Sequence, residues 1–115
     1  MKTDVPILVA EDDEYDVDFL RRAFTEAGIS NQLHAVEDGQ VAIDYLLGTR
    51  QFADRIQFPL PGLLLLDLKM PRMTGHEVLE WLQTRGFGKL IVIVISPLRQ
   101  RTGDVAAGTL VVRSE

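Results

Sequence analysis

The sequence predicts a doubly wound α/β domain built on a parallel sheet, and two patterns carry that expectation. Its apolar runs are continuous rather than alternating, as strands buried on both faces of a sheet require. Stretches with helical periodicity separate the runs, so that strand and helix alternate along the chain and imply right-handed crossovers. A third observation bears on function: two of the runs end abruptly in acids. Ile7-Leu8-Val9-Ala10 leads into Glu11-Asp12-Asp13, and Gly62-Leu63-Leu64-Leu65-Leu66 leads into Asp67.

The elements follow in order. Residues 6–10 read as the first strand. Residues 14–27 read as a helix, because Val17, Leu20, Ala23, Phe24 and Ala27 share one stripe and Gly28 offers a stop. The second strand falls at 32–36. Asp38 can cap the next helix, which turns Val41, Ala42, Tyr45 and Leu46 inward and ends at Gly48. Residues 49–61 make a long loop, with Phe52 and Phe58 pinning it to the surface. After the third strand, 63–66, Thr74 and Glu77 have capping-box spacing ahead of Val78, Leu79 and Leu82, and Gly86 closes that helix. Residues 90–95, Leu-Ile-Val-Ile-Val-Ile, are β-branched almost throughout and form the clearest strand. A fifth strand is expected at 109–112. The intervening stretch, 98–108, should hold a fourth helix but contains Gly103 and lacks an apolar stripe. Only Arg113-Ser114-Glu115 follows the fifth strand, so the C-terminal helix is expected to be shortened or missing.

A chain of 115 residues is expected to form a single domain, 1–115. Its net charge of −5 argues against direct nucleic-acid binding, which needs a clustered basic face. With no cysteine, disulfides, thiolate metal sites and cysteine nucleophiles are excluded, and a cytoplasmic setting is expected. No apolar stretch reaches the length of a membrane span.

Acids gathered at the rim of a core repel one another. Two charges about 4 Å apart in an effective dielectric near 20 cost about 4 kcal/mol, so a positive partner is expected among them. In an open parallel sheet, ligands sit beyond the carboxyl ends of the strands where strand order reverses. If the first and third strands are neighbours there, Glu11, Asp12 and Asp67 meet. Mg²⁺, or Mn²⁺ in its place, suits such a site: Asp12 and Asp67 offer carboxylates, Glu11 binds through water, and Lys69 offers its main-chain carbonyl. A carboxylate so placed can act as a nucleophile toward phosphorus. The rival structural reading is that Glu11, Asp12 and Asp13 merely open a helix, where acids favour the positive dipole end. Asp13 suits a cap better than a direct ligand.

The stretches Ile7-Leu8-Val9-Ala10-Glu11-Asp12-Asp13 and Leu64-Leu65-Leu66-Asp67-Leu68-Lys69-Met70-Pro71-Arg72-Met73-Thr74-Gly75 resemble the receiver domain of two-component response regulators. The long loop after Gly48 resembles the stand-alone regulators associated with bacterial phytochrome kinases. The resemblance spans roughly residues 5–95. It implies a five-stranded (βα)₅ flavodoxin-like sheet of order 2-1-3-4-5 and Asp67 as phosphoacceptor. It also implies Mg²⁺ held by Glu11, Asp12, Asp67 and the Lys69 carbonyl, with a sensor histidine kinase or phosphotransfer protein as donor. Ser96 matches the hydroxyl that the family places after its fourth strand, where it hydrogen-bonds the phosphoryl group. Arg113 stands where the family has a switch lysine, and arginine keeps the charge but not the compact ammonium geometry.

The resemblance implies output by protein contact to an unknown downstream partner, and a homodimer is one way to cover the side where the last helix is missing. Two rivals stand beside it. A degenerate receiver would keep the sheet as a non-switching interaction module. An aspartyl-phosphatase would need a second acid two residues after the nucleophile, where this chain has Lys69. His34 and His76 read as surface or edge residues, Trp81 and Tyr45 as packing residues, and Arg99 and Arg101 as solvated loop cations.

Overall fold

The computed structural model describes residues 4–85, 90–95 and 110–114. Its strands are β1 (Ile7–Ala10), β2 (Leu33–Val36), β3 (Leu63–Asp67), β4 (Leu90–Ile95) and β5 (Leu110–Ser114). Its helices are α1 (Glu14–Glu26), α2 (Gly39–Leu47) and α3 (Gly75–Arg85). One sheet holds all five strands in the order β2-β1-β3-β4-β5, as expected. The first four run parallel, and the register sets Ala10 beside Leu66 and Asp67 beside Ile95.

Burial on both faces explains the unbroken apolar runs. Leu8, Ala10, Leu64, Leu66, Val92 and Val94 point to one face, where they meet Ala42, Tyr45 and Leu46 of α2 and Val78 and Leu82 of α3. Ile7, Val9 and Leu65 point to the other, against Leu20 of α1, with Phe24 and Ile93 at the margin.

The helix ends follow their chemistry. Asp13 caps α1, its carboxylate accepting the N–H groups of Tyr15 and Asp16. Asp38 caps α2 by accepting from Val41 N–H, and Gly48 leaves the helix at φ 71°. Thr74 and Glu77 form the anticipated reciprocal box: Thr74 N–H donates to Glu77 Oε1 at 2.9 Å and Glu77 N–H to Thr74 Oγ1 at 3.3 Å. Gly86 lies outside the described residues.

The loop after α2 begins with a 3₁₀ turn, Arg50–Phe52, and is anchored more deeply than a surface pin. Phe52 is buried against Tyr45 and Phe58, and the Tyr45 hydroxyl donates to Pro59 O. The Arg55 guanidinium donates to the carbonyls of Tyr45, Leu46 and Phe58, satisfying the open end of α2. His34 belongs to this cluster. It sits on the edge strand, but its ring packs against Tyr45 and Phe58 and its Nε2 is buried without a partner, so it is not a plain surface residue.

Two expectations are corrected at the last strand. A fully parallel five-stranded sheet was expected, yet β5 runs antiparallel to β4. The stretch 98–108, where a fourth helix is expected, lies outside the described residues; by length and composition, with Gly103 and no apolar stripe, its sequence barely meets what a parallel crossover needs. An antiparallel return makes no such demand. Arg113, expected at the acidic rim, therefore lies opposite Ile91, at the amino end of β4, whereas Asp67 lies opposite Ile95. Ser96 lies outside the described residues.

Candidate functional site

The register of β1 and β3 builds the site. Because Ala10 pairs with Leu66, the residues that follow, Glu11 and Asp67, leave the sheet side by side at its carboxyl rim. Glu11, Asp12 and Asp67 each bring a carboxylate oxygen to within 4.8 Å of the others. Glu11 is 3% exposed and Asp67 2%, while Asp12 faces solvent. An open groove of about 620 Å³, lined by Glu11, Asp12, Glu14, Asp18 and Glu37, opens the Glu11–Asp12 side of the cluster to solvent; Asp67 is not part of its lining.

Local hydrogen bonds fix part of this constellation and leave part open. Asp13 N–H donates to Glu11 Oε2 at 2.9 Å, and Lys69 N–H donates to Asp67 Oδ1 at 3.0 Å. Glu11 Oε1 is buried and has no partner. Among the described residues, no lysine or arginine forms an ion pair with the three acids. Burial is the main force lifting the Glu11 carboxyl to about 8; the Asp13 N–H opposes it, and the neighbouring Asp67, Asp12 and Asp16 add to it. A buried carboxylate oxygen without a donor, among acids that repel it, fits a hard divalent cation with oxygen ligands.

The chain after Asp67 is folded tightly back on itself. Gly75 N–H donates to Leu68 O at 3.3 Å, and a Cβ at Gly75 would meet Asp67 O at 2.5 Å and Leu68 Cα at 2.7 Å. Both are backbone atoms, so a side chain here must push the strand end itself. Gly75→Ala is expected to cost about 1–3 kcal/mol in denaturant unfolding and to weaken cation binding at the displaced carboxylate. Unchanged stability and unchanged affinity would contradict this packing.

One further pair was missed from the sequence. Beyond its role as a cap, Asp38 is buried, with its side chain 3% exposed, and its carboxylate also accepts from Arg72, through Nε at 2.8 Å and through Nη2. Burial alone would lift the Asp38 carboxyl; the Val41 N–H and the Arg72 guanidinium outweigh it and hold it below the usual carboxylate range. The strand-end logic that singled out Glu11 and Asp67 would also have found Asp38, which stands at the same rim just after β2. Lys69 enters the site through its backbone N–H, and its side chain is exposed. His76 is exposed, and among the described residues no helix is long and apolar enough to cross a membrane.

The comparisons with known proteins agree with this geometry. A family model described as the response regulator receiver domain matches residues 7–109. A probable methanogenesis regulatory protein, FilR2 of Methanothrix harundinacea, is 33% identical over 98 residues, covering 85% of this chain and 59% of that protein. The chain thus spans about three-fifths of that relative's length. Among solved structures, a response regulator in red light signaling of R. palustris, RPA3017, superposes with a TM-score of 0.74 at 39% identity, over 85% of this chain and 69% of that one. The phosphorylated cyanobacterial phytochrome response regulator RcpA superposes at 0.72 with 28% identity, over 81% and 65%. The Mn²⁺-bound form of response regulator Rcp1 superposes at 0.72 with 26% identity, over 85% and 69%. The expected likeness to phytochrome-associated regulators is borne out.

Proposed function

Since this chain belongs to the response regulator receiver domain family, we propose that it accepts a phosphoryl group on Asp67 from a phosphohistidine of a sensor kinase or phosphotransfer protein. The observation that supports this most is the meeting of three acids from two strand ends, with one buried oxygen unpartnered. Glu11, Asp12, Asp67 and the Lys69 carbonyl would hold Mg²⁺ or Mn²⁺. The cation, when bound, supplies positive charge between the anionic carboxylate and the anionic phosphoryl group.

The rest of the chemistry belongs to the chain. Lys69 N–H holds Asp67 Oδ1, which leaves Oδ2 to attack phosphorus. The new O–P bond forms as the donor's N–P bond breaks, and the imidazole nitrogen takes the electron pair and then a proton. Lys69 occupies the position where an aspartyl-phosphatase keeps its acid/base, so the family's role as a signalling module fits better than turnover of a small substrate. Ser96 would hydrogen-bond a phosphoryl oxygen. Output passes by contact with a downstream protein in a cytoplasmic setting.

A second reading, a receiver that binds without switching, is favoured by one observation. The antiparallel β5 sets Arg113 opposite Ile91, so among the described residues no cation of β5 stands at the acidic rim where the family has its switch lysine.

Incubation with acetyl phosphate and Mg²⁺, followed by intact mass and peptide mapping, separates the two. A single phosphoryl adduct on the peptide carrying Asp67, absent in chelator, supports phosphoacceptance. Bound metal with no adduct from any small donor supports the non-switching module.

A further inference from the structure

We propose that Asp38 and Arg72 form a positioning clamp, which holds the loop of residues 68–74 so that its Lys69 groups face the acidic site. This rests on the phosphoacceptor reading of Asp67 and adds two residues to it, neither of which touches the three acids. The loop leaves β3 at Asp67 and returns at Gly75, and its base is closed by Gly75 N–H on Leu68 O. Its far end is closed separately, on the β2–α2 junction. There Gly39 N–H donates to Met73 O at 3.1 Å, and the Arg72 fork closes on a carboxylate that is itself 3% exposed. The Asp38 cap contact at Val41 N–H fixes that carboxylate in turn, so the junction is rigid where the loop meets it.

The backbone at Arg72 bears on why an arginine stands there. Arg72 has φ 63°, in the left-handed region that a side chain other than glycine adopts at a cost. A glycine would sit there without strain, so turn geometry alone gives no reason for arginine. The guanidinium supplies one: Nε and Nη2 both donate to Asp38 Oδ2 while Oδ1 takes the Val41 N–H, and only a planar guanidinium offers two such donors side by side. Groups that orient a metal site from outside it usually change affinity or activity by about 10–100-fold when lost.

Two substitutions isolate the clamp. Arg72→Gly removes the fork while easing the backbone, and Asp38→Asn keeps a capping oxygen for Val41 while removing the charge. Mg²⁺ affinity by calorimetry and adduct formation from acetyl phosphate are measured in each, in the double variant and in Arg72→Lys, with thermal midpoints alongside. Both single variants are expected to lose about tenfold or more in Mg²⁺ affinity and adduct rate, and the double variant no more than either. Arg72→Lys, with charge but no fork, should recover only part. Affinities and rates equal to those of the native chain, whatever happens to the midpoint, overturn the clamp. A native chain that binds Mg²⁺ but forms no adduct sinks the phosphoacceptor reading instead, and the clamp is then decided by cation affinity.

Discussion

Asp67→Asn is expected to abolish phosphoryl uptake completely and, without metal, to make the protein more stable. The loss is a matter of chemistry, because an amide oxygen is a poor nucleophile and its phosphorylated product is not stable. The gain follows from where Asp67 sits. It is 2% exposed and lies within reach of Glu11 and Asp12. Two like charges about 4 Å apart at an effective dielectric near 20 repel by about 4 kcal/mol. Burial raises the Glu11 carboxyl to about 8, so it carries only part of its charge at neutral pH and only part of that repulsion is present. An asparagine amide can also donate to the unpartnered Glu11 Oε1. A net gain of roughly 1 kcal/mol, about 4–8 °C in Tm, is expected in chelator. Such opposition between stability and function is characteristic of sites held in electrostatic tension. Loss of the adduct together with a lower Tm in chelator would mean that Asp67 stabilises the fold instead.

Adding Mg²⁺ should raise Tm, and the rise should grow with pH. The Glu11 carboxyl titrates at about 8 in the fold against an ordinary value of 4.5. A raised acid contributes stability that is fully present below about pH 4.5 and is lost as pH climbs through about 8. The metal-free protein should therefore weaken steadily across that window. Cation binding reverses the trend, because it requires ionised carboxylates and displaces the proton. At a hundred times Kd the metal adds about 2.7 kcal/mol, which corresponds to roughly 10 °C or more for a domain of this size. Differential scanning between pH 5 and 8, with and without Mg²⁺, reads both slopes. A metal-induced rise that stays flat or shrinks toward pH 8 would show that Glu11 takes no part in the site.

Most of the sheet and the acidic rim were legible from the chain because both depend on local patterns. Unbroken apolar runs marked the strands of β1, β3 and β4, and the acids that end two of them marked the rim. Capping side chains at Asp38 and Thr74 were equally local. The direction of β5 was not, since it depends on whether the segment before it can pack a helix on the sheet. Arg72 and Asp38 are brought together only by the turn after β3 and by an unusual φ at Arg72. The surroundings of His34 depended on which face of the edge strand meets Tyr45 and Phe58, and a four-residue strand carries too little alternation to say.

Whether one cation is shared between the ends of β1 and β3 can be read by titrating Mn²⁺ while following backbone amide resonances. Paramagnetic broadening should begin together at residues 10–13 and 67–69, and Asp67→Asn should weaken it in both segments at once. Broadening centred on the acids of α1 or on Glu37, with either strand end left sharp, would contradict it.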